Sequence, residues 1–226
     1  MLVLQEGKQV TDLIKDAKKI AIVPVRSDSE DILSASVGFF RALKGSGKDV
    51  SLLYPYSFSD QFSQYLKKDE VTAVVGTRSL LVSVDCSNTP QIKGAKHYVE
   101  GEFLRMLIYN VPKDFDIEGK VHFSTVGFDY DLVITLGAQK LADIGPIFRE
   151  FEDLFEGVTV INLDNSSKNE HFGTINVVEP DTESLCQLML YKLGSWNYKV
   201  DKEIAKVLLY GISSMNSVEA PKPANQ

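Results

Sequence analysis

Two stretches place acidic and amide side chains where an apolar run ends. Val158-Thr-Val-Ile-Asn-Leu delivers Asp164-Asn165-Ser166, and the run from Lys19 to Val25 delivers Arg26-Ser27-Asp28-Ser29-Glu30-Asp31. Carboxylates gathered at the ends of buried strands can hold divalent cations through hard oxygen ligands, or move protons. Other candidates carry less chemistry. Asp85-Cys86-Ser87 also follows an apolar run, but a nucleophilic thiol needs a neighbouring base and the sequence supplies none there. Asp85 reads instead as a strand-end carboxylate that starts a turn. His97, His122 and His171 are not spaced as a metal cluster, and only His171 falls near the Asp164 triplet. Gly45-Ser46-Gly47-Lys48 has parts of a phosphate loop. It follows a helical stretch rather than a strand, and Asp49 stands where a Ser or Thr is required, so it reads as a helix stop. The first strand lacks the G-x-G-x-x-G turn of dinucleotide-binding sheets.

The elements that position these residues follow from periodicity. Lys19–Val25 and Asp131–Leu136 are continuous apolar runs, as expected of parallel strands buried on both faces. With Val50–Tyr54, Val71–Val75, the strand before Asp164 and Ile175–Val178, they predict a parallel sheet. Helices are expected over Thr11–Lys18, Ile32–Leu43, Phe58–Lys68, Leu141–Phe155, Thr182–Leu193 and Asp201–Ile212. Leu80–Val84, Tyr98–Ile108 broken at Glu100-Gly101, and Val121–Val126 read as β-hairpin material. The fold class is therefore α/β, a Rossmann-like, mainly parallel sheet with helices on both faces and an antiparallel insertion at about 79–126. Residues 1–216 are expected to form one domain, and 217–226 a flexible tail.

Composition narrows the function classes. A 226-residue chain with 44% apolar residues can bury one sizeable core. A net charge of −7 argues against strong nucleic-acid binding through phosphate attraction. No window has the roughly 20 apolar residues of a membrane span, and the N-terminus does not read as a signal peptide. Two solitary cysteines, Cys86 and Cys186, fit buried thiols in a reducing cytoplasm.

The order of motifs is similar to that of the DHH phosphoesterases. These include single-strand-specific exonucleases, oligoribonucleases, cyclic-dinucleotide phosphodiesterases and the family II pyrophosphatases. The resemblance covers Lys19–Tyr54 and 130–214, and Asn169, Phe172, Gly173, Asn176, Pro180 and Ser184 fall where the family pattern expects them. It implies a two-metal manganese or magnesium centre built from four motifs. The first, H-x-x-P-D-G-D, corresponds to the stretch from Pro24 to Glu30. Pro24 replaces its histidine ligand, Asp28 is kept, and Glu30 stands for the second aspartate. Gly137 replaces the aspartate of the second motif. The third, D-H-H, has become Asp164-Asn165-Ser166, and the fourth aspartate maps onto Met215. The G-G-G-H signature of the family's C-terminal substrate-binding domain is missing, because the chain has no Gly-Gly pair.

The expectation is a degenerate member with no assigned catalytic residue and no required cofactor, acting as a ligand-binding or interaction module. Its ligand would be a small phosphorylated molecule or nucleotide. Asp28, Glu30 and Asp164 remain as the carboxylates that would hold one weakly bound magnesium or manganese in an alternative, residual phosphoesterase. Asp85, in the sequence VDCS, is the alternative home for the missing second-motif aspartate, but its distance from Asp164 is too long for the family pattern, which favours the turn-starting reading. A further alternative is an oligomerising scaffold, with the apolar strand Phe103–Tyr109 serving a homodimer or another protein.

Overall fold

The chain is described by a computed structural model covering residues 2–26, 29–58, 60–72, 79–87, 92, 94–113, 115, 119–126, 130–155 and 157–216. Asp28, residues 73–75 of the expected third strand, and the tail from Ser217 lie outside the described residues. In chain order the elements are α1 (Leu2–Asp16), β1 (Lys19–Pro24), α2 (Glu30–Gly45), β2 (Asp49–Leu53), β3 (Val71–Thr72), β4 (Ser79–Val84), β5 (Ala95–Glu100), β6 (Phe103–Ile108) and β7 (Val121–Val126). There follow β8 (Leu132–Leu136), α3 (Pro146–Phe155), β9 (Thr159–Asp164), β10 (Ile175–Val178), α4 (Leu185–Ser195) and α5 (Lys202–Asn216). They fall into two compact units, Met1–Gly76 with Phe128–Gln226, and Thr77–Gly127.

The first unit is the predicted α/β fold. Its six strands run in the order β10-β9-β8-β1-β2-β3, and every neighbouring pair is parallel. Alternate residues of each strand enter different cores. Ile20, Ile22, Leu132, Ile134, Leu136, Ile161 and Leu163 pack with apolar residues of α1, α2, α4 and α5. Ala21, Val23, Val133 and Val160 pack with Ile147 and Phe155 of α3. Burial on both faces explains why these strands read as unbroken apolar runs. Helices α2 and α5 approach closely because Gly211 has no side chain. A Cβ there would lie 2.4 Å from Cys186 Sγ and 2.7 Å from Ser34 Cβ.

Three expected helices differ. The one expected over Thr11–Lys18 is the end of the longer α1, which begins at Leu2 and stops at Asp16. Phe58–Lys68 forms two 3-10 turns, Asp60–Gln64 and Lys68–Glu70, rather than one helix. The Tyr65 carbonyl accepts from the Arg41 guanidinium, whose Nε lies 2.6 Å away, and Arg41 also bridges to Glu70 at 3.0 Å. Tertiary bonds thus replace the helical ladder, and tilted and edge-to-face ring contacts from Tyr54 through Phe58 and Phe62 to Tyr210 hold the segment in place. Leu141–Phe155 is divided into a 3-10 turn, Leu141–Ile144, and α3, with Gly145 at φ +67° between them. Pro146 has no N–H to continue the first turn, and its fixed φ suits the first position of the second helix.

The second unit consists of two antiparallel pairs, β4 with β7 and β5 with β6. The predicted turn at Glu100-Gly101 joins β5 to β6, with Gly101 at φ +60°.

Candidate functional site

In open parallel sheets ligands bind beyond the carboxyl ends of the strands, where the strand order changes direction. Here that point lies between β1, whose chain continues to β2 on one side, and β8, which continues to β9 on the other. Register brings three of the sequence-predicted positions together there. Pro24 pairs with Leu136, and Leu136 with Leu163. Val25 N donates to Leu136 O and Gly137 N to Leu163 O, each at 2.9 Å. Pro24, Gly137 and Asp164 therefore stand side by side along one edge. Met215 falls within the last turn of α5, which runs through it rather than ending before it.

Gly137 has φ +74°, a conformation that favours glycine. A Cβ built on it would lie 2.9 Å from Ile32 Cδ1 and 3.2 Å from both Leu185 Cδ1 and Val25 Cγ1. Where the DHH pattern implies an aspartate, three aliphatic side chains fill the space. Neither backbone nor surroundings suit a carboxylate.

Asp164 is buried, and both its oxygens are engaged. Oδ1 accepts from Asn165 N at 2.9 Å and Oδ2 from Asn169 Nδ2 at 2.7 Å. Asn169 also donates to Ala138 O at 2.9 Å and accepts from Asn162 Nδ2 at 3.0 Å, while Thr135 Oγ1 donates to Asn162 Oδ1 at 3.0 Å. The result is a buried polar chain from β8 through β9 to the Asp164 loop, each link worth about 1 kcal/mol when satisfied. Burial pushes the Asp164 carboxyl above its ordinary range. The bonds from Asn169, Asn165 and Ser166 oppose that shift, and the negative charge of Asp143 adds to it. Asn165, at the first histidine position of the triplet, donates through Nδ2 to Thr182 O at 2.9 Å. Ser166 Oγ accepts from Lys168 N at 3.2 Å. His171 is exposed at φ +54°, with Nδ1 3.0 Å from Asn169 O.

The acidic loop divides its roles. Asp31 is buried and accepts from Leu185 N at 2.7 Å and Cys186 N at 3.0 Å, so its carboxylate caps α4. Ser184 completes the cap by accepting from Gln187 N at 3.0 Å. Glu30 sits in the first turn of α2 with Oε2 buried and without a hydrogen-bond partner among the described residues. Burial, and then the charge of Glu30, raise the pKa of the Tyr210 hydroxyl, against a bond from Gln61. Burial keeps the Cys186 thiol protonated, so it is inert as a nucleophile. In the second unit, Asp85 accepts from Ser87 N at 2.9 Å and also bonds the Ser87 hydroxyl at 2.5 Å, which closes a turn.

Among the described residues, which do not include Asp28, the donor set does not fit a two-metal centre. Pro24 and Gly137 offer no ligand atom, the Asn165 amide donates to a carbonyl, and both oxygens of Asp164 serve the loop. Among the described residues no three His, Cys, Asp or Glu side chains gather as a metal-holding group. A cavity of about 280 Å³ lies between the middle of α1 and the end of α4, lined by Lys8, Thr11, Lys192 and Trp196 among others. The capping role of Asp31 and the Thr135–Asn162–Asn169 chain escape sequence reasoning. Their one local signal is a polar residue inside each of two apolar runs.

Comparison with solved structures matches the chain to the crystal structure of an exopolyphosphatase-related protein from Bacteroides fragilis, with a TM-score of 0.62 and 15% identity. The two share a fold. The match covers 95% of this chain but 51% of the other, so this chain spans about half the length of that relative. No family model and no curated protein matches the sequence. Among the described residues no helix is long and apolar enough to cross a membrane.

Proposed function

We propose that this chain is a degenerate relative of the DHH phosphoesterases in which the hydrolytic centre has been replaced by packing, leaving a ligand-binding or interaction module. The observation that carries this reading is Gly137. The position of an expected metal ligand is a left-handed glycine enclosed by Val25, Ile32 and Leu185. Two closely spaced divalent cations need several anionic oxygens or imidazoles to offset their repulsion and dehydration, and this edge supplies few. Likeness to an exopolyphosphatase-related protein supports the fold side of the reading. The ligand class that follows from the resemblance is a small phosphorylated molecule or nucleotide. The test is turnover of short oligonucleotides, cyclic dinucleotides and pyrophosphate with manganese. The expected outcome is none above the protein-free rate. Manganese-dependent hydrolysis that disappears in Asp164→Asn would overturn it.

The orphaned Oε2 of Glu30 favours a second reading, a residual one-cation phosphoesterase. A cation would satisfy that oxygen, and Asp164, with Asp28, would have to complete the site. A thermal-shift titration separates the readings. Magnesium or manganese that raises the melting temperature of the wild type but not of Glu30→Gln supports the second, and equal responses remove it.

A further inference from the structure

The cavity between the middle of α1 and the end of α4 has chemistry of its own. At about 280 Å³ it is near the lower end for small-molecule sites. It is separate from the carboxyl edge. Asp31 caps the start of α4 there, and the 11 residues of that helix put the cavity about 16 Å away. Gly7 opens one side of it. Glycine weakens a helix interior relative to alanine, yet Gly7 sits inside α1 and crowding does not require it. Among the described residues a Cβ there would meet only the Trp196 indole, with Nε1 at 3.5 Å and Cδ1 at 3.7 Å, which is ordinary contact. The missing side chain instead leaves the edge of a buried indole uncovered, and the indole N–H takes no acceptor among the described residues. Buried indole N–H groups ordinarily have a partner.

The rest of the wall defines that partner. It holds two cations, Lys8 and Lys192, and no Asp or Glu. Lys192 is buried and pairs with Glu179, outside the wall, at 2.8 Å, whereas Lys8 is exposed and makes no ion pair among the described residues. The last carbonyls of α4 would repel an anion, but they are already engaged. Lys192 O accepts from Trp196 N at 2.8 Å, Leu193 O from Tyr198 N at 2.9 Å and Gly194 O from Asn197 N at 3.2 Å. An oxyanion therefore suits Lys8 and the indole N–H. The two hydroxyls of the wall call for the opposite group. Thr11 donates to Lys8 O at 2.9 Å and Ser195 to Lys192 O at 3.0 Å, so each presents only lone pairs to a ligand. We infer that the cavity binds a small hydroxylated oxyanion, a sugar phosphate or a hydroxy acid. Its anionic end lies on Lys8 and Trp196, and a hydroxyl donates to Thr11 or Ser195.

Trp196 is the only tryptophan, so its fluorescence reads the cavity directly. Titrating the full chain with glycerol 3-phosphate and with malate should give a saturable change with at least one of them, and the one that binds distinguishes phosphate from carboxylate. Potassium chloride at matched ionic strength should give none. Propyl phosphate and succinate, which lack the hydroxyl, should bind several-fold more weakly than their hydroxylated counterparts. Lys8→Ala should weaken binding about tenfold, as expected for the loss of one charge-assisted hydrogen bond. Lys202→Ala, at an exposed lysine of α5, should leave it unchanged. Gly7→Ala should raise the melting temperature, because alanine is the better helix former, yet weaken binding by covering the indole edge. No saturable change with either probe would overturn the inference, as would a change that chloride reproduces. Full-strength binding in both Lys8→Ala and Gly7→Ala, or equal binding of anions with and without the hydroxyl, would do so too. None of these outcomes depends on whether the carboxyl edge holds a metal or hydrolyses phosphate esters.

Discussion

Gly137→Asp returns to the end of β8 the carboxylate that the DHH pattern expects. The surroundings of Gly137 set three costs for it. Its φ of +74° costs an L-residue about 1 kcal/mol. A Cβ 2.9 Å from Ile32 Cδ1 and 3.2 Å from Leu185 Cδ1 and Val25 Cγ1 overpacks the space, at roughly 1–3 kcal/mol because the nearest atom is the end of a flexible chain. A carboxylate among three aliphatic side chains adds roughly 2 kcal/mol or more unless it takes up a proton. The sum is about 4–6 kcal/mol, a large part of the stability of an ordinary domain. Gly137→Ala carries only the first two costs, about 2–4 kcal/mol. Urea unfolding measures both. The only tryptophan, Trp196, is buried 5.9 Å from the Phe39 ring, so its fluorescence reports on the first unit alone. A Gly137→Asp variant within about 1 kcal/mol of wild type, or one that gains manganese-dependent phosphoesterase activity, would refute the reasoning.

Two further perturbations probe how the carboxylates are used. Asp31→Ala leaves two buried N–H groups of α4 without an acceptor and should lower stability by about 3 kcal/mol in the same assay, with Asp31→Asn losing roughly half as much. For Asp131, burial favours protonation, but bonds from the backbone N–H groups of Lys18 and Lys19 outweigh it and hold the carboxyl below its ordinary range. A depressed carboxyl pKa stabilises the fold above the unfolded value of about 3.9, and the gain is lost as pH falls through the folded value. Asp131→Asn should therefore lower the unfolding free energy measured in urea at neutral pH, by under about 1 kcal/mol for so exposed a group. The difference from wild type should shrink once the pH drops below the unfolded value, and a pH-independent difference would contradict this.

The sheet was legible because strands buried on both faces leave a distinctive trace. Lys19–Pro24, Leu132–Leu136 and Thr159–Asp164 are largely apolar runs without alternation, as strands covered on both faces must be. What escaped was decided by tertiary contacts. Phe58, Phe62, Tyr65 and Leu66 have a helical spacing, but Arg41, far back in the chain, takes the Tyr65 carbonyl. The site was legible as a set of substitutions rather than as a structure. Pro24, Gly137 and Asn165 could be seen to lack ligand chemistry. No local pattern shows that Ile32 and Leu185 close over Gly137, that Asn165 clasps Thr182, or that Asp31 caps a helix 154 residues away. Asn169 was visible in the sequence through the DHH resemblance. Its role as the hub between Asn162, Asp164 and Ala138 required the register of β8 and β9.

Calorimetric titration of manganese into the wild-type chain and into Asp164→Asn addresses the carboxyl edge most directly. With Gly137 enclosed and both oxygens of Asp164 held by its loop, the two proteins should give the same weak, non-saturating heats. Saturable binding of one or two manganese ions per wild-type chain, lost in Asp164→Asn, would mean that a metal centre survives at this edge.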